Sequence, residues 1–225
     1  MRSFDLLQGD ELLNVIDALG SVKYKDGRDT ASGNAKAVKN NLEIDNSDPG
    51  MQELTDFMAS KIMTDPNTYW LLFPKTVSRP IVSKTANGGH YGTHLDASQM
   101  VDIFGLQMRT DISFTLFLSD PDTYDGGELS IQNETGAVDI KLPPGHVVFY
   151  NSGLLHEVKP VTRGERIACI GWVQSMIYDE VARNALYAMR EMQEVLGGHV
   201  DKRSEVFLDY QAAVNAMRRC LIGRL

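Results

Sequence analysis

Two residues with metal-binding side chains, His94 and Asp96, follow the glycine-rich turn that begins at Asn87. Residues two positions apart on an extended strand point to the same side, so the imidazole and the carboxylate are presented together. His156 lies several predicted strands later and is the candidate for a third ligand. Two imidazoles and one carboxylate on one face of a metal ion leave other coordination positions open. This arrangement is typical of non-haem iron(II) oxygenases.

Arg166 follows His156 in the chain and begins a mainly apolar run that ends at Trp172. A dicarboxylate that chelates a metal through a 2-oxo acid group leaves its second carboxylate pointing into the protein, where a guanidinium group can bind it through two hydrogen bonds. An unpaired arginine inside a barrel is costly, so Arg166 predicts an anionic ligand or a fixed acidic partner. The three candidate ligands and this arginine together are a far stronger signal than the first histidine and aspartate alone.

The composition limits the other chemistries that the chain could perform. Its 225 residues include five histidines and only two cysteines, Cys169 and Cys220, which excludes a disulfide framework and a multi-cysteine zinc site. Charged residues make up 23% of the chain and hydrophobic residues 43%, as in an ordinary globular protein. The net charge of -8 argues against nucleic acid as a partner.

The N-terminal sequence MRSFDLLQGDELL has neither the basic nor the apolar region of a signal peptide, and no apolar run reaches the length of a transmembrane helix. We therefore expect a cytoplasmic protein with free thiols and no membrane partner. A chain of this length can build one core, so a single domain is expected over residues 1–225. It would have helical support at about 1–66, a β core at about 67–176 and C-terminal helices at about 177–225.

Periodicity of the apolar residues predicts two helices before the β core. The first is an amphipathic helix at 10–19, and the second covers 51–63, between Pro49 and Pro66. The stretch 21–46 is rich in Gly, Lys and Asn, so we expect loops there with at most short strands.

From Trp70 onward, short runs of β-branched and aromatic residues alternate with turn clusters, which favours an antiparallel sandwich or barrel. Two C-terminal helices are expected after this β core, with Gly197 and Gly198 as the stop between them. The predicted strands include 80–83, 112–118, 128–132, 138–142, 146–150 and 166–173.

Several segments spread over nearly the whole chain carry a resemblance to one family. They are Val38-Lys-Asn-Asn, Tyr91-Gly-Thr-His-Leu-Asp, Met108-Arg-Thr-Asp-Ile-Ser-Phe-Thr-Leu-Phe-Leu-Ser-Asp-Pro, Tyr124-Asp-Gly-Gly-Glu-Leu, Lys141-Leu-Pro-Pro-Gly, the stretch from His156 to Ala168, and Trp172-Val-Gln-Ser-Met-Ile. With these segments the sequence resembles the bacterial PKHD-type hydroxylases, a branch of the iron(II)- and 2-oxoglutarate-dependent dioxygenases of the prolyl 4-hydroxylase type.

The resemblance implies a fold, a set of cofactors and a reaction. The fold would be a double-stranded β-helix, a jelly-roll and cupin-like core, with flanking and C-terminal helices. His94, Asp96 and His156 would hold iron(II), and Arg166 would bind the far carboxylate of 2-oxoglutarate. The reaction would hydroxylate an unactivated C–H bond of a prolyl or other peptidyl residue, with succinate and CO2 as coproducts and L-ascorbate as a candidate reductant.

At two positions the sequence departs from this family's pattern. Thr85 stands nine positions before the first ligand histidine, where a tyrosine is common, and Ile170 stands four residues after the arginine, where relatives can offer a threonine. Thr115, on the predicted strand 112–118, is therefore the substitute hydroxyl that we expect to bind the cosubstrate carboxylate. Tyr91 and Trp172 are candidates for contact with the substrate, although an aromatic residue on a barrel strand more often serves packing.

Two other readings of the triad stay open at this stage. A non-catalytic jelly-roll module could use it to sense iron and a small dicarboxylate, and a zinc hydrolase is less favoured because no carboxylate is placed as a general base. A peptide or protein is the expected substrate, and specificity is expected to lie in loops at about 23–41 and 97–109. The Met-rich C-terminal helices leave room for a homodimer.

Overall fold

Two antiparallel β-sheets face each other across a central cavity, and the longer helices flank them. The computed structural model describes residues 1–20, 22–31, 33–45 and 47–222. The helices are α1 Gly9–Leu19, α2 Gly33–Ala37, α3 Pro49–Thr64, α4 Pro66–Leu72, α5 Glu180–His199 and α6 Glu205–Ile222. The strands are β1 Arg2–Asp5, β2 Tyr24–Asp26, β3 Lys39–Asn40, β4 Leu42–Ile44, β5 Pro74–Val77, β6 Ile81–Ala86, β7 His90–His94, β8 Gln99–Val101, β9 Gln107–Arg109, β10 Ile112–Phe117, β11 Asp125–Gly126, β12 Leu129–Asn133, β13 Gly136–Ile140, β14 His146–Asn151, β15 His156–Val158, β16 Val161–Arg163 and β17 Glu165–Ser175.

The larger sheet has the strand order β1-β14-β10-β17-β6-β4-β2, and β5 pairs with β17. The smaller sheet has the order β13-β12-β15-β7-β3. Neighbours in these orders are often distant in the sequence, which means that the chain crosses repeatedly between the two sheets. The predicted antiparallel β core with flanking helices is confirmed.

Successive side chains of β10 point to opposite faces of the larger sheet. Ile112, Phe114 and Leu116 pack on the side that also contains buried residues of α1, α3 and α4. Ser113 and Thr115 point the other way and line the central cavity. One face of the sheet therefore holds the helices, and the other is free to carry a site.

The helices predicted at 10–19 and 51–63 correspond to α1 and α3, and the predicted strands correspond to β6, β10, β12, β13, β14 and β17. The stretch 21–46 contains short strands and the short helix α2, while Ser21, Ser32 and Asn46 lie outside the described residues. The predicted loop at 97–109 contains the hairpin of β8 and β9.

Pro66 follows the end of α3, as predicted, but it also begins α4, which was not predicted. Proline is well tolerated in the first helical turn, where its missing N–H would have no partner. The Asp65 side chain accepts a hydrogen bond of 2.9 Å from the Thr68 N–H and caps α4. Trp70, expected at the start of the strand region, therefore lies in a helix.

The predicted stop at Gly197 and Gly198 falls slightly early, since α5 continues to His199. None of the helices in the described ranges is long and apolar enough to cross a membrane. The assignment of all 225 residues to one domain stays a prediction.

We expect Gly171→Ala to destabilise the protein. A Cβ atom at Gly171 would lie 2.6 Å from Cζ of Phe114, so the packed core would have to shift. Overpacking of this kind lowers the free energy of unfolding by about 1–3 kcal/mol. Urea unfolding monitored by circular dichroism measures the loss.

Gly198→Ala is the matched control, because a Cβ atom at Gly198 in α5 would meet nothing within 4 Å. Alanine in a helix is favoured over glycine, so this variant should keep or gain stability, by up to about 1 kcal/mol. Equal losses at both positions would contradict the packing at Gly171.

Candidate active site

His94, Asp96 and His156 come together because β7 and β15 are neighbours in the smaller sheet. His94 is the last residue of β7, and His156, the first residue of β15, lies directly opposite it. One potential ligand atom from each of the three residues lies within 4.8 Å of the others. His156 Nε2 is 3.7 Å from Asp96 Oδ1. The predicted triad is therefore one cluster at the edge of the cavity.

Hydrogen bonds to backbone carbonyl oxygens orient the two histidine side chains. Nδ1 of His94 lies 2.8 Å from the carbonyl oxygen of Gly92, and Nδ1 of His156 lies 2.9 Å from that of Leu154. An N–H at Nδ1 that donates to a carbonyl leaves the Nε2 lone pair free for a metal.

A hydrogen bond from the larger sheet orients the carboxylate of Asp96. The Ser113 hydroxyl donates to Asp96 Oδ2 at 2.5 Å, and Ser152 Oγ lies 2.8 Å from Ser113 Oγ. The second carboxylate oxygen, Oδ1, faces His156. One oxygen of Asp96 is thus used for orientation while the other can serve as a ligand atom.

Burial sets the charge state of His94. Burial and the neighbouring His156 together lower the pKa of His94 to about 4, against the opposing effects of its hydrogen bond to Gly92 and of Asp96. At neutral pH the His94 imidazole is therefore uncharged, as a metal ligand must be. Two imidazoles and one carboxylate make a donor set that suits iron(II) and leaves positions open for other ligands.

Arg166 lies on the cavity face of β17 and is only 2% exposed. Its Nε and Nη2 atoms have no hydrogen-bond partner anywhere in the described parts of the chain. Burial lowers the pKa of the guanidinium group. An arginine in this state needs an anionic ligand, and a carboxylate can accept two hydrogen bonds from a guanidinium group.

The cavity that joins these groups has a volume of about 530 Å³. This is within the range of small-molecule sites, so it has room for a small dicarboxylate and part of a substrate. The seven candidate site residues from the sequence line it, namely Tyr91, His94, Asp96, Thr115, His156, Arg166 and Trp172.

Two aromatic residues stand close to the triad. The Tyr91 ring stacks on the His94 imidazole, with ring centroids 3.7 Å apart and an angle of 15° between the planes. Trp172 lies across from Ser113 in the strand register, and its buried Nε1 has no partner among the residues that the structure describes.

Thr115 lies in the cavity wall opposite Ile170 and is buried. Tyr150 lines the same cavity, and its ring lies 5.2 Å from that of His156. Thr85 pairs with Arg166 across β6 and β17 and is also buried.

A buried ion pair beside the triad was not anticipated. Lys39 Nζ lies 2.5 Å from Glu43 Oε1, and both side chains are almost fully buried. The hydroxyl of Thr30 donates to Glu43 at 2.6 Å and accepts from Lys39 at 3.0 Å. Lys39 Nζ also lies 5.0 Å above the Tyr91 ring.

The sequence offered only a weak signal for this pair. Residues 39 and 43 are four apart, which suggests an exposed pair on a helix, whereas they lie on β3 and β4, in different sheets. Both expected specificity loops do reach the cavity, through Thr30, Asn34 and Met100 among others.

Comparison with known proteins defines the class of this chain. The sequence pattern of the 2OG-Fe(II) oxygenase superfamily matches residues 80–174, which include the triad and Arg166. A PKHD-type hydroxylase from Teredinibacter turnerae is 41% identical over 182 residues, which are 81% of this chain and 80% of that protein. A PKHD-type hydroxylase from Beijerinckia indica is 39% identical over 198 residues, 85% of this chain and 88% of that protein.

Solved structures share the fold at low sequence identity. HygX from Streptomyces hygroscopicus, with nickel and 2-oxoglutarate bound, has a TM-score of 0.55 and 11% identity, over 77% of this chain and 82% of that chain. The viral collagen prolyl hydroxylase vCPH in complex with 2OG has a TM-score of 0.52 and 19% identity, and the match covers 77% of this chain and 95% of that chain. A prolyl hydroxylase from Trichoplax adhaerens, in complex with a hypoxia inducible factor peptide, has a TM-score of 0.50 and 17% identity, and the match covers 77% of this chain and 83% of that chain. The jelly-roll expectation is confirmed.

The chain is thus a 2OG-Fe(II) oxygenase by class. Within that class it belongs to the PKHD-type hydroxylases. It is an enzyme, a dioxygenase with iron(II) and 2-oxoglutarate as its cofactors. Membership of this family favours the catalytic reading of the site over a non-catalytic sensing module.

We expect Arg166→Met to stabilise the protein when no 2-oxo acid is present. The variant replaces a buried cation, whose Nε and Nη2 have no hydrogen-bond partner among the described residues, with an apolar side chain, which raises the free energy of unfolding by about 1–4 kcal/mol. Urea unfolding without 2-oxoglutarate measures the effect. Arg163→Met, at an exposed arginine paired with Asp125, should change stability little. A large loss for Arg166→Met would mean that the guanidinium group has a structural partner.

Lys39→Met should have the opposite effect. It leaves the Glu43 carboxylate buried without its cation, and breaking a buried pair costs about 3–5 kcal/mol of unfolding free energy. Lys25→Met, which removes a half-exposed pair with Asp45, is the control and should cost little. Thermal and urea unfolding of both variants measure these losses. Similar losses of unfolding free energy in the two variants would refute the proposed role of burial.

Proposed function

We propose that this protein hydroxylates an unactivated C–H bond of a prolyl or other peptidyl residue and converts 2-oxoglutarate to succinate and CO2. The observation that carries the proposal is the buried guanidinium group of Arg166, whose Nε and Nη2 have no hydrogen-bond partner in the described ranges, in the same cavity as the cluster of two histidines and one aspartate. A hydroxylase that uses a dicarboxylate needs both features within reach of one small molecule.

In this proposal, His94, Asp96 and His156 hold the iron. Iron(II), when bound there, supplies activation of dioxygen coupled to decarboxylation of the 2-oxo acid. All three residues line the cavity, so ligands can approach the cluster from it. Their hydrogen bonds to backbone carbonyls and to Ser113 keep the ligand atoms oriented before the metal binds.

Arg166 binds the far carboxylate of 2-oxoglutarate and so orients the 2-oxo acid end toward the triad. Thr115 is proposed to add a hydroxyl contact to the cosubstrate from the neighbouring strand β10. The reaction needs no dedicated base from the protein, because proton transfer is not the difficult step.

Tyr91 and Trp172 are proposed to contact the substrate. The free Nε1 of Trp172 can donate a hydrogen bond to an acceptor such as a backbone carbonyl of a peptide. Tyr91 stacks on His94 and so forms part of the wall beside the proposed metal site. The relatives of known structure that are prolyl hydroxylases, one of them bound to a peptide, make proline peptides the first substrates to test.

Three further expectations belong to this proposal. L-ascorbate is expected to sustain turnover by keeping the iron reduced. A cytoplasmic location and a homodimer through the C-terminal helices stay predictions. α5 and α6 carry exposed apolar residues, among them Met192, Val195 and Val206.

The test is an assay of purified protein with iron(II), 2-oxoglutarate, dioxygen and a panel of proline-containing peptides, with and without ascorbate. We expect succinate formation and the addition of one oxygen atom to a peptide, measured by mass spectrometry. His156→Ala removes a ligand and should reduce succinate formation at least about 100-fold. Wild-type protein that forms no more succinate than this variant under any condition would refute the proposal.

A further inference from the structure

His94 lies at the end of a strand that has little support on one side. It is the last residue of β7, and the outer neighbour of β7 is β3, a strand of only two residues. The pairing between β3 and β7 joins Asn40 to His90 and Lys39 to Tyr91, so it ends before His94 is reached. A metal ligand has to keep one orientation, and at this position other contacts must restrict the imidazole.

The ring of Tyr91 provides one such contact. It lies nearly parallel to the His94 imidazole, with ring centroids 3.7 Å apart and 15° between the planes. A parallel ring at this distance hinders rotation of the imidazole, while the hydrogen bond of 2.8 Å between Nδ1 and the Gly92 carbonyl oxygen fixes the ring edge. The Nε2 atom of His94 is then directed one way only for as long as the Tyr91 ring stays in place.

Lys39 fixes the position of the Tyr91 ring. The two residues are partners in the register of β3 and β7, and Lys39 Nζ lies 5.0 Å from the centroid of the ring. This distance is within the range of a cation–π contact. The side chain of Lys39 is only 4% exposed, and such contacts are strongest where water is excluded.

Glu43 and Thr30 hold the ammonium group of Lys39 in turn. Lys39 Nζ lies 2.5 Å from Glu43 Oε1 and donates a hydrogen bond of 3.0 Å to Thr30 Oγ1, which itself donates to Glu43 Oε2 at 2.6 Å. Together with the Tyr91 ring, these contacts engage the ammonium group on several sides, so it cannot leave without stranding a buried charge.

The carboxylate of Glu43 is anchored to the larger sheet. Glu43 is the register partner of Ser83 on β6, and the nearby Asn41 side chain donates a hydrogen bond of 2.6 Å to Ser83 Oγ. The position of the ammonium group is therefore set by both sheets. Glu43 also balances the charge of Lys39, so the pair brings little net charge to a site for a divalent cation.

From this arrangement we infer that Lys39 and Glu43 are positioning residues for the metal site. Lys39 holds the Tyr91 ring against His94, and Glu43 holds Lys39. Neither residue belongs to the cluster of potential ligands, so both act through Tyr91. The inference rests on the proposed function, in which His94 is a ligand of the metal.

The test measures the affinity of the metal-free protein for cobalt(II), which accepts nitrogen and oxygen ligands and has a visible absorption spectrum. Lys39→Leu/Glu43→Leu removes both charges together, so no charge is left buried and the melting temperature should stay the same or rise. Leucine is too short to take the place of the ammonium group beside the ring. Cobalt(II) binding should weaken about ten-fold, the loss expected when the support of a metal ligand is removed.

The matched control is Lys25→Leu/Asp45→Leu, which removes a half-exposed ion pair elsewhere in the chain. It should bind cobalt(II) as wild type does.

Variants of Tyr91 test whether the pair acts through the ring. Tyr91→Leu removes the ring and should weaken cobalt(II) binding as much as removal of the pair, whereas Tyr91→Phe keeps the ring and should restore the wild-type affinity. Combining Tyr91→Leu with the pair variant should cause no further loss, because both changes remove the same support. A merely structural role of the pair would change the melting temperature without this dependence on the ring.

Three results would overturn the inference. One is a folded pair variant that binds cobalt(II) as tightly as wild type. Another is wild-type affinity in Tyr91→Leu, which counts even if the pair variant does not fold. The third is a loss in the combined variant that equals the sum of the separate losses, since the pair would then act by another route.

Failure of the proposed function itself gives a different result. If His156→Ala binds cobalt(II) as tightly as wild type, the three residues do not form the metal site, and the proposed function fails together with the role of the pair. If His156→Ala loses cobalt(II) but the variants of Lys39, Glu43 and Tyr91 do not, only the positioning role is overturned.

Discussion

Arg166 is a buried cation that has no fixed acidic partner among the described residues. The rest of the fold must accommodate this charge. A protein can keep such a charge only if a ligand neutralises it for much of the time or if its burial is offset by the rest of the fold. The larger sheet supplies that offset, because its outer face packs an extensive apolar core against α1, α3 and α4. The inner face is thereby left free to hold polar groups that have no partner of their own.

Each of the two sheets contributes different residues to the site. The smaller sheet presents His94 and His156 on neighbouring strands, whereas the larger sheet contributes Ser113, which fixes Asp96, and Arg166. A dicarboxylate bound between the sheets would contact both of them. Ligand binding should therefore stabilise the packing of one sheet on the other, which links occupancy of the site to the stability of the whole core.

The Lys39 and Glu43 pair shows how the fold protects the edge of this cavity. The pair ties β3 in the smaller sheet to β4 in the larger one, and the Lys39 ammonium group also lies over Tyr91. Because Tyr91 in turn stacks on His94, a buried ion pair in the cavity wall supports a candidate metal ligand through an aromatic ring. Removal of either charge would leave the other one buried without its partner, so the two residues are needed together.

Local patterns in the sequence determined the amphipathic helices, most of the strands, and the spacing of His94 and Asp96 that places both side chains on one side of a strand. They placed Pro66 correctly at the end of α3 but missed that it also begins α4, because proline is compatible with both positions. Only the tertiary structure decided that His156 lies opposite His94 and that Lys39 pairs with Glu43 between sheets. These features depend on the register between strands far apart in the chain, which is set by packing of the whole core and leaves no trace in short-range periodicity.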